Sequence, residues 1–330
     1  MLKFRNYFLS ILLLTFLVSS CEKDEKTINE SQVLVEYLES AESPLMKDYV
    51  NTDMPAIMTA TDLKSLNETG QVYIIDIRAV ADFATGHILN AHNVAVKDVL
   101  THIKALDLTP YTKVAMVCNS GQTAGYVTTI LRVLGYDKVF SLKWGMSSWN
   151  VQFASGWKSA VASGNAYASQ FVSTATEKGV QGSLPVLSTG FSTGQDILEA
   201  RATELLTAGF DPAKVTNQTV FDNLAGYYIV NYWPAAQYTD PGHIPGAIQY
   251  TPKESIKLLV DLKTLPTNKP IAVYCYTGQT SAALVAYLRL LGYDAKSILF
   301  GCNGMIYDIM VSKTMTTFSD TQIMGYAFVN

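Results

Sequence analysis

The sequence predicts an α/β protein built from two similar halves, each a mainly parallel sheet covered by helices on both faces. Three observations lead there. The stretch Val114-Ala-Met-Val-Cys118-Asn-Ser-Gly121-Gln-Thr123-Ala returns as Ala272-Val-Tyr-Cys275-Tyr-Thr-Gly278-Gln-Thr280-Ser. In both copies a run of strand-forming residues ends at a cysteine, a small polar loop follows, and a helical pattern opens. The landmarks keep a near-constant spacing: Cys118 to Cys275, Gly121 to Gly278 and Gly135 to Gly292 are each 157 residues apart, and His87 to His243 is 156. Such a spacing marks a duplicated unit. Strands and helices alternate through both copies, which favours parallel strands joined by helical crossovers.

At 330 residues, 48% hydrophobic and 16% charged, the chain is globular in composition and long enough for two domains, each with its own core. Residues 1–20 read as a signal peptide: Lys3 and Arg5 precede the apolar run Tyr7–Val18, which is too short to span a bilayer. Residues 21–30 are polar and charged and read as a tether. The first domain, 31–154, opens with a helix over Ser31–Leu38 whose Val33, Leu34 and Leu38 share a face, bounded by Pro44. A short helix over Ala60–Leu66 is expected to be capped by Thr61 or Asp62. There follow a buried strand Gln71–Asp76, a helical turn Ala79–Phe83 and a helical face Val99–Leu106. The strand Lys113–Val117 then delivers Cys118, the helix Thr123–Leu134 stops at Gly135, and Val139–Leu142 is a last strand. Residues 155–194 are rich in Ser, Gly, Ala and Thr with little periodicity and read as a linker. The second domain, 195–330, repeats the order: a helix carrying Ile197, Leu198, Ala202, Leu205 and Leu206, strands Tyr227–Val230 and Ile271–Tyr274, Cys275, and a helix Ser281–Leu291.

The net charge is −4, and −6 once Lys3 and Arg5 leave with the first 20 residues. With no basic block, nucleic acid is not an expected partner. Beyond Cys21 three cysteines remain, Cys118, Cys275 and Cys302, so at least one thiol stands outside any intramolecular disulfide. His87, His92, His102 and His243 form no familiar ligand motif, so no metal and no cofactor is expected.

A cysteine where a strand hands over to a helix faces the inward-pointing N–H groups of the loop and of the first helical turn, and these favour negative charge. The cradle residues are Asn119, Ser120, Gly121, Gln122 and Thr123 in the first copy, and Tyr276, Thr277, Gly278, Gln279 and Thr280 in the second. Donors of this kind are expected to lower a thiol from about 8.5 by about one unit or more, giving thiolate at neutral pH. The same donors stabilise an anionic persulfide.

On these residues each half resembles a rhodanese-like (sulfurtransferase) domain. The resemblance covers about residues 45–150 and 200–310 and rests on Gly86-His87-Ile88 and Gly242-His243-Ile244, on Cys-x-x-Gly-x-Thr before a helix, and on Asp76-Ile-Arg78 in the first copy. It implies transfer of sulfane sulfur through a persulfide on Cys118 and Cys275, from a small donor (polysulfide, persulfide or thiosulfate) to a thiol acceptor. Phosphatase relatives of this fold place an arginine six residues after the cysteine to grip phosphate. Here that residue is Ala124 or Ser281, which disfavours ester hydrolysis and also weakens thiosulfate against a neutral or thiol-bound donor.

Asp76, Arg78, Asp82, His87 and His243 are expected as supporting scaffold, with Asp82 four residues after Arg78 and so placed to pair with it. The second copy has Asn231-Tyr232-Trp233 and Gln237 in place of the first copy's charged set. Cys302 stands in the turn where the first copy has Met146 and is a candidate to resolve a modified Cys275 by disulfide exchange. Two alternatives stay open: a rhodanese-fold binding module without turnover, and a thiol redox module using Cys275 and Cys302.

Leu17-Val18-Ser19-Ser20-Cys21 resembles the lipobox of bacterial lipoproteins, which implies lipidation of Cys21 and attachment to a membrane. Glu22-Lys23-Asp24-Glu25 resembles the signal that sends some lipoproteins of Gram-negative bacteria to the cell surface. The expected location is extracytoplasmic, at the outer membrane or cell surface.

Overall fold

Two five-stranded sheets form the frame, and every strand pairing within them is parallel. The computed structural model describes residues 28–330. The signal peptide read at 1–20, Cys21 and the tether as far as residue 27 lie outside the described residues.

In the first repeat the strands are β1 (Ile57–Met58), β2 (Val72–Asp76), β3 (Ala91–Asn93), β4 (Lys113–Val117) and β5 (Val139–Leu142), in the order β1-β5-β4-β2-β3. The second sheet has β6 (Lys214–Val215), β7 (Tyr228–Asn231), β8 (Ile248–Gln249), β9 (Ile271–Tyr274) and β10 (Ala295–Ile298), in the same order, β6-β10-β9-β7-β8. The helices of the first half are α1 (Glu30–Glu39), α2 (Tyr49–Thr52), α3 (Ala60–Glu68), α4 (Val80–Ala84), α5 (Val99–Lys104), α6 (Gln122–Val133), α7 (Met146–Trp149) and α8 (Ser155–Ala162). Those of the second are α9 (Gly194–Ala208), α10 (Asn217–Asp222), α11 (Ala235–Thr239), α12 (Gln279–Leu290) and α13 (Tyr307–Ser312). The duplicated α/β architecture expected from the sequence is what the structure has.

Strand alternation sorts the core. Val114, Met116 and Cys118 face one side of β4 and Ala115 and Val117 the other. In the second repeat Ile271 and Val273 face the first of these sides, while Ala272 and Tyr274 face away. The first side is shared: a single cluster runs from Leu34 and Met116 through Ile130 to Leu284 and Val273, with α6 packed on α12. Each half buries a core of its own on the outer face of its sheet, as expected, and the two inner faces in addition bury each other.

The segments flanking the sheets cross over. At the N-terminal side, α1 packs on α9, the Ser31 hydroxyl donates to Leu291 O, and Glu39 accepts from Leu258 N at 2.7 Å. At the C-terminal side the exchange is reciprocal. Val172 and His243 trade backbone hydrogen bonds of 2.9 and 2.8 Å, and Val329 and His87 trade bonds of 2.7 and 3.0 Å. Val172 and Val329 are 157 residues apart, so the same arm of each repeat is paired with the other repeat. The linker expected at 155–194 is therefore partly structural: it begins with α8, whose Trp157 is fully buried and stacks on Phe318 of the opposite arm at 5.2 Å.

One cap differs from expectation. Thr59, not Thr61 or Asp62, caps α3, its hydroxyl accepting from Asp62 N at 3.0 Å while the Asp62 carboxylate faces back to the Thr59 amide.

Candidate active site

Each cysteine loop is closed by a glycine in the left-handed region, Gly121 at φ 85° and Gly278 at φ 80°, which turns the chain straight into α6 or α12. Cys118 Sγ accepts from Gly121 N at 3.2 Å and Ala124 N at 3.3 Å. Cys275 Sγ accepts from Gly278 N at 3.2 Å and Ser281 N at 3.3 Å. Ala124 and Ser281 stand where the phosphatase relatives have their arginine. Their amides are the donors that the helix start brings round to the sulfur.

The rest of each cradle does other work. Asn119 Nδ2 donates to Asp82 Oδ2 at 3.2 Å, Ser120 O accepts from Trp157 Nε1 at 3.1 Å, and Thr123 faces the cleft. Thr277 Oγ1 accepts from Gln279 N at 3.2 Å, Tyr276 hydrogen-bonds Gln237, and Thr280 stands half-buried beside it on α12. The Gln279 side chain leaves its own loop and crosses to the other repeat, whereas Gln122 divides its amide: Nε2 donates to Ser120 Oγ of its own loop at 3.1 Å and Oε1 crosses to Phe300 N.

Below the Cys118 loop, Asp76 and Arg78 form a fully buried pair, Nη2 to Oδ2 at 2.6 Å and Nε to both oxygens at 3.0 Å. Arg78 also donates to Gly86 O at 2.8 Å, so it ties the end of β2 to the Gly-His-Ile segment. The expected pairing with the Asp82 carboxylate is not made: Arg78 reaches only Asp82 O, at 3.3 Å, because the buried Asp76 carboxylate holds the guanidinium inward. His87 stacks on Phe83 and faces its carbonyl at 3.1 Å, and His243 stacks on Tyr238 and faces its carbonyl at 2.6 Å. Both histidines brace their turns.

A cavity of about 310 Å³ opens onto Cys118. Its near wall is the Cys118 loop, and its far wall is Phe210, Lys214 and Phe300 of the second repeat. On the other side of Phe300 a space of about 390 Å³ is lined by Asp82, Gln152 and Ser155. The cleft thus lies between the repeats.

A family model for the rhodanese-like domain matches this sequence twice, at residues 59–152 and 221–304, more than half of the chain. The chain belongs to the rhodanese-like family. Among solved structures it is similar to SseA from Escherichia coli, a 3-mercaptopyruvate sulfotransferase, at 17% identity over 76% of this chain and 98% of that one, TM-score 0.27. It is similar to a thiosulfate sulfurtransferase from Pseudomonas aeruginosa at 14% identity over 91% and 71%, TM-score 0.28. It is also similar to a rhodanese-related protein from Thermoplasma volcanium at 22% identity over 28% and 89%, TM-score 0.26.

The two rhodanese-like repeats have diverged under their loops. Asn231 takes the place of Asp76 and donates to the Tyr274 hydroxyl at 2.8 Å; Trp233 takes the place of Arg78 and packs against Tyr274 and Tyr276. An aromatic layer thus replaces an ion pair.

Cys302 N donates to Cys275 O at 3.0 Å, just as Met146 N donates to Cys118 O at 2.8 Å. Its side chain belongs to the cluster of Ala272, Tyr274 and Ile298, on the face of β9 away from Val273. Burial, and Cys275 beside it, push the Cys302 thiol well above the ordinary range. It fills a core turn as Met146 does in the first repeat. All three described cysteines are free thiols.

The Cys118 thiol is pushed up, not down. Burial raises it, the amides of Ala124, Ser120 and Gly121 pull it back in part, and the Asp76 carboxylate raises it further. The expectation of a lowered thiol fails because the cysteine is only 5% exposed and the nearby guanidinium is already neutralised by Asp76. Among the described residues no group of three or more His, Cys, Asp or Glu is placed to hold a metal ion.

Proposed function

We propose that this rhodanese-like protein is a sulfurtransferase or sulfane-sulfur carrier that works through a cysteine persulfide, with Cys118 as the turnover site. The observation that carries this reading is that Cys118 has its sulfur under two amide donors and also lines the cleft between the repeats. Cys275 has the same two donors, is 2% exposed, and is the second nucleophile.

The reaction balances without a redox partner. The Cys118 thiolate attacks the outer sulfur of a donor R–S–SH; the new S–S bond forms as the old one breaks, and R–S⁻ leaves. A thiolate acceptor then attacks the outer sulfur of the Cys118 persulfide and regenerates the Cys118 thiolate. The amides of Gly121 and Ala124 stabilise the anion that alternates between thiolate and persulfide. The donor class favoured is a thiol-bound persulfide or polysulfide. A cavity of about 310 Å³ is larger than an inorganic dianion needs, and its two cations, Arg78 and Lys214, are paired with Asp76 and Asp211.

The location belongs to the same proposal. Cys21 carries the lipid and anchors the protein on the outer membrane or cell surface, with the polar stretch after it as the tether. No helix among the described residues is long and apolar enough to cross a membrane.

The test is to treat the protein from residue 22 onward with polysulfide and with thiosulfate and weigh it intact. One added sulfur that disappears in Cys118→Ser and persists in Cys275→Ser is the expected result. No adduct from either donor, with the thiols reduced, would leave the binding-module reading in its place.

A further inference from the structure

We infer that Gln279 is a positioning residue for the Cys118 loop of the opposite repeat, and that Gln122 plays the same part for the Cys275 loop. These two glutamines are counterparts, 157 residues apart, each the first residue of the helix behind its own cysteine. Their side chains are 1% and 2% exposed in the otherwise apolar contact between α6 and α12. A buried amide is costly unless its hydrogen bonds are made. Gln279 makes them across the interface, and Gln122 makes one across it through Oε1 and one within its own repeat, Nε2 to Ser120 Oγ at 3.1 Å.

Gln279 Nε2 donates to Ser141 Oγ at 2.8 Å and Leu142 O at 3.3 Å, at the end of β5. A carbonyl accepts only, so Leu142 O fixes which end of the amide is nitrogen. The Gln279 oxygen then lies 3.1 Å from where a Cβ would stand on Gly121. From Leu142 the contact passes on: Gly145 N donates to Leu142 O at 3.0 Å, and Met146 N donates to Cys118 O at 2.8 Å. Gly145 itself has no room for a side chain, since a Cβ would stand 2.3 Å from Cys118 O and 2.6 Å from Gly121 N. Gln279 thus seats the turn that presses on the Cys118 loop, and Gly121 N is one of the two donors to the sulfur.

The return contact is built alike. Phe300 N donates to Gln122 Oε1 at 2.8 Å, and a Cβ on Gly278 would stand 2.3 Å from that oxygen. Phe300 is followed by Gly301, where a Cβ would stand 2.3 Å from Cys275 O. Each repeat completes the frame of the other's thiol.

This inference goes beyond the sulfur chemistry, and its test needs no sulfur donor. The protein from residue 22 onward, wild-type, Gln279→Met and Gln122→Met, is reacted with methyl methanethiosulfonate across pH 6–10, and modification of Cys118 and of Cys275 is followed by peptide mass spectrometry. The trans variant, Gln279→Met, is expected to slow Cys118 about five- to tenfold at pH 8 and to move the midpoint of its pH profile upward, through loss of donor alignment. In the same variant Cys275, with whose loop the Gln279 side-chain amide makes no hydrogen bond, is expected to change by less than about twofold, and Gln122→Met is expected to slow Cys275 through loss of its bond to Phe300 N. Ser141→Ala removes one acceptor of Gln279 without touching α12, and is expected to slow Cys118 in the same direction; it serves if Gln279→Met does not fold. Equal slowing of Cys118 and Cys275 by Gln279→Met, an unchanged Cys275 in Gln122→Met, or a Ser141→Ala profile identical to wild type would overturn the inference.

Discussion

Val329, the penultimate residue of the chain, exchanges both backbone hydrogen bonds with His87 of the Gly-His-Ile segment, at 2.7 and 3.0 Å. Around that pair Phe328 covers Gly86, Tyr326 packs on Trp149, and Trp149 Nε1 donates to Ala327 O at 2.8 Å. The last residues of the second repeat are therefore part of the first repeat's scaffold. Deleting 324–330 should lower the melting temperature by several degrees, since a loss of about 1–2 kcal/mol moves a domain of this size by that much. It should also slow Cys118 more than Cys275. If site-resolved alkylation shows both cysteines slowed alike, the arm is general ballast and not a strap on the first repeat.

The Asp76–Arg78 pair leads to a contrast between two carboxylates. Asp76→Ala leaves a guanidinium buried without its partner and should destabilise by about 3–5 kcal/mol. Asp82→Ala removes a carboxylate whose side-chain contact is the amide of exposed Asn119, and should change stability by less than about 1 kcal/mol. Urea unfolding of the two variants checks both. Equal losses would mean that Arg78 depends on Asp82 after all.

Much of this was legible in the sequence because it is periodic. The strands Lys113–Val117, Val139–Leu142 and Ile271–Tyr274 are apolar runs between punctuating residues, and the structure has them at those bounds. The constant offset carries the duplication, and the loop glycines fall where a left-handed residue is needed. What the sequence hid is where chain segments go after they leave a sheet. Nothing in the Ser- and Gly-rich stretch around Val172, or in the tail around Val329, tells which repeat each will cover. For the same reason Gln279 reads as a cradle residue beside its cysteine, although its amide points across the interface, and nothing in the sequence shows that the Gln122 oxygen crosses while its nitrogen stays on Ser120. Burial was the other hidden quantity. The amide donors beside Cys118 were foreseeable, but the desolvation that outweighs them depends on how tightly the two repeats close.

That burial fixes a pH dependence. The thiolate is the reacting form, and the Cys118 thiol is held above its ordinary value, first by burial and then by Asp76 against the pull of three amides. The rate of persulfide formation should therefore keep rising with pH past about 8.5, where an unperturbed thiol would level off. Asp76→Asn removes the opposing charge and should move the curve to lower pH. A rate that is flat from pH 7 upward would show a thiolate already formed and would contradict this account of the site. Cys302, fully buried on the far face of β9, should stay unmodified in the folded protein across the same range.

The N-terminal crossover carries a second titration. Glu39, at the end of α1, accepts from Leu258 N of the other repeat at 2.7 Å. Its carboxyl is raised from 4.5 to about 7, chiefly by burial, with the Leu258 amide pulling down, Asp48 pushing up and Lys257 pulling down. The sign follows: a carboxyl whose folded value lies above its unfolded one contributes stability that is fully present below about pH 4.5 and is lost as pH rises through about 7. Glu39→Gln keeps an oxygen for the Leu258 amide and has no charge to bury. The variant should melt with wild type near pH 4.5 and above it at pH 8. A wild type that melts higher at pH 8 would mean that the ionised carboxylate is worth more to the Leu258 bond than its desolvation takes away.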